Sequence, residues 1–169
     1  SLKKCGTDAI SIHTKKNNII KVTPEAKELG FVGIPNKVNN NLIEKILNQK
    51  QVPIISPLGL GSDNHPYNIN GDTAAGAIAK SLKSRRLLLM TNVEGVLDKN
   101  KKLIDEISSS EILKMIEDNT ITEGMIPKIN TCLDAVNNGV TAVGIIDGRK
   151  QHSILFEIFS DKGSGTLIR

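Results

Sequence analysis

The 169-residue sequence predicts an α/β layered fold with a mainly parallel sheet, and three observations carry that prediction. Apolar strand-like runs alternate with helix-like patterns along the chain, the order that lays helices onto a parallel sheet. Two of the runs, Leu87-Leu88-Leu89-Met90 and Thr141-Ala142-Val143-Gly144-Ile145-Ile146-Asp147, are short and almost wholly apolar, as strands covered on both faces are. Hydrophobic residues make up 38%, yet there is no Trp, one Tyr and three Phe, so Ile, Leu and Val must fill the core, and such β-branched richness suits buried strands. A chain of this length buries about 70% of its unfolded surface and needs no covalent staple.

Taken in order, residues 1–4 resemble the tail of a helix closed by Gly6. Ala9-Ile10-Ser11-Ile12 and Ile19-Ile20-Lys21-Val22, separated by Lys15-Lys16-Asn17-Asn18, predict a hairpin. Phe31-Val32-Gly33-Ile34 predicts a strand ended by Pro35, and Asn39 to Asn41 can cap a helix carrying Leu42, Ile43, Ile46 and Leu47. Val52-Pro53-Ile54-Ile55-Ser56 reads as a buried strand with Pro53 near its beginning, and the Gly-rich stretch 57–64 as a long loop. A helix of small residues follows over about 71–83, then the strand at Leu87–Met90, whose carboxyl-terminal loop begins Thr91-Asn92-Val93-Glu94-Gly95-Val96-Leu97-Asp98. Loops in that position bind ligands in open α/β sheets.

Ser108-x-x-Glu111 predicts a capping box for a helix carrying Ile112, Leu113 and Ile116. In the next helix Met125, Ile129, Cys132, Leu133 and Val136 share one stripe, Pro127 suits the first turn, and Gly139 ends it. The strand at 141–147, the segment Leu155–Phe159, a glycine turn at 163–165 and a last strand to Arg169 complete the chain.

Two places point beyond folding. In Tyr67-Asn68-Ile69-Asn70-Gly71-Asp72, a spacing of two puts both amides on one side of an extended segment, beside a carboxylate at a helix start. The residues leave open a capped helix or a ligand site. Lys128 stands near a helix N-terminus, where a cation opposes the dipole; it either holds a phosphate together with nearby N–H groups or is an ordinary snorkelling lysine.

The net charge of +4 is spread along the chain, and few aromatics remain to stack on bases, so nucleic acid is not an expected partner. No apolar run reaches a membrane span, and Cys5 and Cys132 are too few for a disulfide framework, which favours a cytoplasmic protein with no membrane partner. His13, His65 and His152 lie in no metal-ligand spacing and read as surface or loop residues, so no protein metal site is expected. No dinucleotide fingerprint, P-loop or Gly-x-Ser-x-Gly elbow occurs, so any phosphate site is built from separated pieces.

Five such pieces, Tyr67–Gly76, Leu88–Asp98, Gly124–Lys128, Ile145–Arg149 and Phe156–Thr166, together resemble the amino acid kinase family, and within it the acetylglutamate kinases, over nearly the whole chain. The resemblance implies a three-layer αβα sandwich, with 1–83 forming the rear part of the amino-acid-substrate lobe and 84–169 the nucleotide-binding lobe. It implies transfer of the γ-phosphoryl of ATP, with Mg2+, to the side-chain carboxylate of N-acetyl-L-glutamate in arginine biosynthesis. By analogy Asn68 and Asn70 contact the amino acid, Asp72 organises catalytic lysines, and Lys128 neutralises the moving phosphoryl group. Asn92, Val93, Glu94, Gly95, Val96, Leu97, Thr120, Ile121 and Thr122 line the nucleotide pocket.

The family's first strand, its second catalytic lysine and its Gly-Gly turn are expected before Ser1, so the chain is expected to be a fragment truncated at its N-terminus and inactive alone. Asn92 stands where the family commonly has Asp. Arginine as an effector is suggested around Glu157 and Gly163, although Gly144 stands where arginine-inhibited members carry His, and the intact protein is expected to be a homo-oligomer. The alternatives are another kinase of the superfamily, acting on carbamate, aspartate, glutamate or a nucleotide, and a non-catalytic module that binds arginine or a regulator.

Overall fold

A computed structural model describes residues 2–12, 17–121, 124–160 and 163–169. The chain divides into two compact units, Ser1–Leu82 and Lys83–Arg169, called unit 1 and unit 2 below. Both are α/β, with sheets that contain parallel pairs.

Unit 1 opens with a 3-10 turn at Leu2–Cys5, closed by Gly6 at positive φ. Strand β1 (Ala9–Ile12) pairs in parallel with β4 (Val52–Ile55), whereas β2 (Ile20–Pro24) belongs to a second sheet ordered β3-β2-β5-β6. The expected hairpin between the first two strands is therefore absent: the turn-like composition of 15–18 is a local signal, and strand partners are set by where each strand buries its apolar face. Residues 13–16, which include His13 and the first half of that turn, lie outside the described residues.

Strand β3 (Gly33–Val38) runs through Pro35 instead of ending there. It lies at one edge of its sheet, antiparallel to β2, and the register slips opposite Lys21/Val22 so that Asn36 is an extra residue; an edge position and a bulge are where a strand tolerates proline. Helix α1 (Asn40–Asn48) buries Ile43 and Ile46, but no asparagine side chain caps it. Asn40 instead donates its amide to Ser81 O at 2.7 Å and accepts from Ser81 Oγ at 2.6 Å.

Strand β4 is less buried than its composition suggests, with Val52 and Ile54 43% and 45% exposed. The expected 57–64 loop contains β5 (Leu58–Leu60), which pairs antiparallel with β6 (Pro66–Asn68). Glycine and Pro signals concealed this hairpin because its strands are only three residues long. Helix α2 (Gly71–Ser81) closes the unit, and Ile12, Ile20, Val22, Ile43, Ile46, Tyr67 and Ile69 form its core.

Unit 2 holds a sheet ordered β7-β9-β10-β8. Strand β7 (Arg86–Thr91) lies parallel to β9 (Ala142–Asp147), pairing Leu87 with Val143 and Thr91 with Asp147. Every residue of β9 is buried, as its apolar run predicts. Strand β10 (Gly165–Ile168) runs antiparallel to β9 and parallel to the short β8 (Glu106–Ile107). Gly165 is required there: a Cβ would stand 1.9 Å from Ile145 O.

Ser108 caps α3 (Ser109–Glu117) through the full capping box with Glu111, as its sequence predicts. Helix α4 (Ile126–Asn137) buries Ile129, Cys132, Leu133 and Ala135 against the sheet, and Leu155–Phe159 falls within α5 (Ser153–Phe159). Among the described residues no helix is long and apolar enough to cross a membrane.

Candidate functional site

Strand β7 ends at Thr91, and the chain leaves its carboxyl end into a loop whose backbone is pinned from behind. Gly148 N–H donates to Thr91 O at 2.8 Å, and Val96 N–H donates to Thr166 Oγ1 at 2.8 Å. Gly95, at φ +148°, lies against Thr166, where a Cβ would come within 2.5 Å of the hydroxyl oxygen. From Val96 the chain folds back in a narrow hairpin closed by Ile104 N to Val96 O (2.9 Å) and Asp98 N to Lys102 O (2.8 Å). Asp98 Oδ1 accepts from Asn100 N and Lys102 N, 2.8 Å each, which fixes the hairpin's tip.

This loop forms one wall of a cleft of about 900 Å3 in unit 2. The same cleft is lined by Asn92, Val93, Glu94, Gly95, Val96 and Leu97, by Thr120 and Ile121 after α3, and by Lys128 in the first turn of α4. Nine of the ten residues expected from the sequence to serve the nucleotide or the moving phosphoryl group are thus gathered in one cavity; Thr122 lies outside the described residues. The volume falls within the usual range for small-molecule pockets. Its apolar lining comes from Val93, Val96, Leu97, Ile121 and Met125, and its charged lining from Glu94, Asp98, Lys99, Lys101, Asp118 and Lys128.

The cleft is also lined by Thr91, Asp98, Lys99, Lys101, Asp118, Asn119, Gly124 and Met125, none of which the sequence singled out as a site residue. The carboxylates among them are engaged by protein groups. Asp118 binds Thr120 through its N–H at 3.1 Å and through its hydroxyl, and binds Lys99 Nζ at 2.9 Å. Those bonds, the Thr120 hydroxyl first and Lys99 second, lower its pKa to about 2. Glu94 pairs with Lys150 at 3.1 Å. Lys99 and Asp118 therefore tie the hairpin tip to the segment after α3 across the cleft. The only advance signal was the Asp118-Asn119-Thr120 cluster ending a helix.

At the α4 end of the cleft the helix starts at Met125 with no side-chain cap, no acidic residue in its first turn, and Pro127 near its start. Its first N–H groups and the half-buried Lys128 together make a positive terminus, which suits an anion.

Unit 1 carries Asn68, Asn70 and Asp72. Tyr67 and Ile69 are buried while Asn68 and Asn70 are exposed, so the two asparagines do share the outward side. Asn70 is the N-cap of α2: its Oδ1 accepts from Asp72 N at 3.0 Å and Thr73 N at 3.2 Å. Asp72 is half-buried in the first turn, where the dipole favours its charge.

Elsewhere in unit 2, Glu157 is 7% exposed; its Oε2 accepts from Ser164 N at 2.9 Å, and Arg86 NH1 stands 3.7 Å from Oε1. Gly144 and Gly163 flank the carboxylate. Asp147, buried at the end of β9, is gripped by Arg149 through two 2.9 Å bonds, and this holds its carboxyl well below the usual range, at about 2.

Residues 1–147 match the amino acid kinase family. An acetylglutamate kinase of Pelagibacter ubique (strain HTCC1062) is 54% identical over 169 residues, covering 100% of this chain and 59% of its own length. One from Brucella abortus (strain S19) is 45% identical over 97% of this chain and 57% of its own length. Among solved structures, smu.665 from Streptococcus mutans UA159 aligns with a TM-score of 0.81 at 32% identity, over 99% of this chain and 63% of that one. N-acetylglutamate synthase from Neisseria gonorrhoeae, complexed with coenzyme A and N-acetyl-glutamate, shares the fold with a TM-score of 0.87 at 23% identity, over 97% of this chain and 38% of that one. The chain thus spans a little over half the length of the curated relatives it matches.

Proposed function

The chain belongs to the amino acid kinase family, and on that premise we propose that it forms the ATP-binding lobe and part of the substrate lobe of an enzyme that phosphorylates the side-chain carboxylate of N-acetyl-L-glutamate. The observation that carries the reading is the unit 2 cleft, which joins an apolar stretch around Val93, Leu97 and Ile121 to the positive terminus of α4 with Lys128. A nucleotide needs that combination: its base and ribose lie against the apolar part and its phosphates against the cation and the N–H groups. The 54% identity with an acetylglutamate kinase supports the choice of N-acetyl-L-glutamate over carbamate, aspartate, glutamate or a nucleotide as acceptor.

The acceptor carboxylate is ionised at neutral pH, so no general base is required. Lys128 lowers the charge repulsion as the phosphoryl group moves, which is the electrostatic positioning that this chemistry depends on. Asn68, exposed beside the α2 terminus, contacts the acetylated amino acid, with Asn70 adding a contact from its cap position and Asp72 standing in the same first turn of α2. Magnesium enters with the nucleotide and offsets phosphate charge. Glu94, Asp98 and Asp118 are already bound to protein groups, a pattern that fits a metal carried on the phosphates better than one held by the cleft. A second reading, that arginine is an effector, is suggested only by the resemblance around Glu157 and Gly163; the Glu157 carboxylate is itself buried and accepts from Ser164 N–H at 2.9 Å.

The test is a calorimetric titration of the folded 169-residue chain with MgATP, repeated with Lys128→Ala. Saturable binding that the substitution weakens by about tenfold or more supports the reading. A folded chain that does not bind overturns the nucleotide assignment. In the intact enzyme, a substrate panel with acetylglutamate turned over no faster than carbamate or aspartate overturns the acceptor.

A further inference from the structure

We propose that Thr166 is a positioning residue that sets the wall of the cleft in unit 2 facing the nucleotide; this rests on the nucleotide reading above. Thr166 lies on β10, is 1% exposed and does not line the cleft. Its hydroxyl is nevertheless the point where the wall meets the sheet. It accepts from Val96 N–H at 2.8 Å and donates to Ile104 O at 2.7 Å.

Those two groups belong to opposite arms of the hairpin that carries Val96, Leu97, Asp98, Lys99 and Lys101 into the cleft. Val96 and Ile104 are also bonded to each other, through Ile104 N to Val96 O. One hydroxyl therefore holds both arms at their base. Val96 is 2% exposed, so its N–H is shielded from bulk solvent and relies on the hydroxyl.

Two features show that the position is built for this contact. Gly95 lets the backbone come so close that any side chain there would strike the Thr166 oxygen. Threonine also combines the β-branched shape suited to a strand with a hydroxyl that can donate and accept at once. Valine has the same shape and can do neither, so Thr166→Val leaves a buried donor and a carbonyl unsatisfied in the wall while preserving the packing. Serine keeps both bonds.

The experiment compares the wild-type chain with Thr166→Val, Thr166→Ser and Ile168→Val in three measurements: MgATP titration, thermal melting and amide hydrogen exchange. Ile168 is fully buried on the same strand and outside the cleft, so it reports ordinary destabilisation. The expected result is about tenfold weaker MgATP binding for Thr166→Val, with faster exchange at the Val96 amide and unchanged exchange at Ile145. Thr166→Ser binds within about twofold of wild type, and Ile168→Val melts earlier without losing affinity.

Wild-type affinity in Thr166→Val overturns the proposal while leaving the nucleotide reading intact, and so does an equal loss of affinity in Ile168→Val, which would mark the effect as general softening. If the wild-type chain itself does not bind MgATP, the nucleotide reading falls. The Val96 amide then still decides whether the hydroxyl holds the wall, and unchanged exchange in Thr166→Val overturns it.

Discussion

At the scale of single residues, Asp118 and Asp147 make a pH prediction. Each carboxyl titrates near 2 in the folded chain against an ordinary value of 3.8, because Thr120 and Lys99 hold the first and Arg149 the second. A lowered folded pKa means that the unfolded chain binds more protons, so their contribution is complete above about pH 4 and is lost as pH falls through 2. Acid unfolding followed by circular dichroism should show stability dropping across that window, and Asp118→Asn should flatten part of the slope. An unchanged slope in both Asp118→Asn and Asp147→Asn would refute the assignment. Gly95→Ala combines a positive φ with a 2.5 Å approach to Thr166 and should cost roughly 1–3 kcal/mol in urea unfolding. Much of the cleft was legible at this scale: Asn92 to Leu97 follow an apolar strand in the position where α/β sheets bind ligands, and Lys128 stood out by opposing the helix dipole. Asp118 and Thr166 were not legible, because their partners are fixed by folding. Thr166 meets Val96 from the far end of the chain, and no local pattern marks that contact.

At the scale of elements, the signals that worked were those contained within one element. The α3 capping box is complete, with Ser108 N donating to Glu111 Oε2 at 2.9 Å and Glu111 N donating to Ser108 Oγ at 3.3 Å. Ser108→Ala should therefore cost about 1 kcal/mol, and Ser108→Asp should restore most of it in the same urea titration. A loss below about 0.3 kcal/mol would show that the cap is redundant with tertiary packing. The buried strand at 142–147 and the α4 stripe were readable for the same reason, since their periodicity is their own. Strand pairing was not: β1 chose β4 over its sequence neighbour, and Pro35 sits inside a strand because that strand lies at a sheet edge.

At the scale of the whole molecule, each unit has its own core, and a cavity cut in one should register first there. Ile129 is fully buried in unit 2, so Ile129→Ala should cost about 2–5 kcal/mol and speed exchange of the amides in β9 and β10. Protection of those amides equal to wild type would contradict the assignment of Ile129 to that core. The α/β class was readable from composition and alternation, whereas the hairpin β5-β6 was hidden by strands too short to show a pattern. The outer strand β3 has a further consequence. Its Pro35 has no N–H to offer, and the extra residue Asn36 breaks its ladder, so it makes a poor template for another chain's backbone. Replacing Pro35 would return one backbone donor to that strand while the extra residue Asn36 still interrupts it, and the result to watch for is colloidal: turbidity and growing particle size during concentration, with the folded chain's own spectrum unchanged.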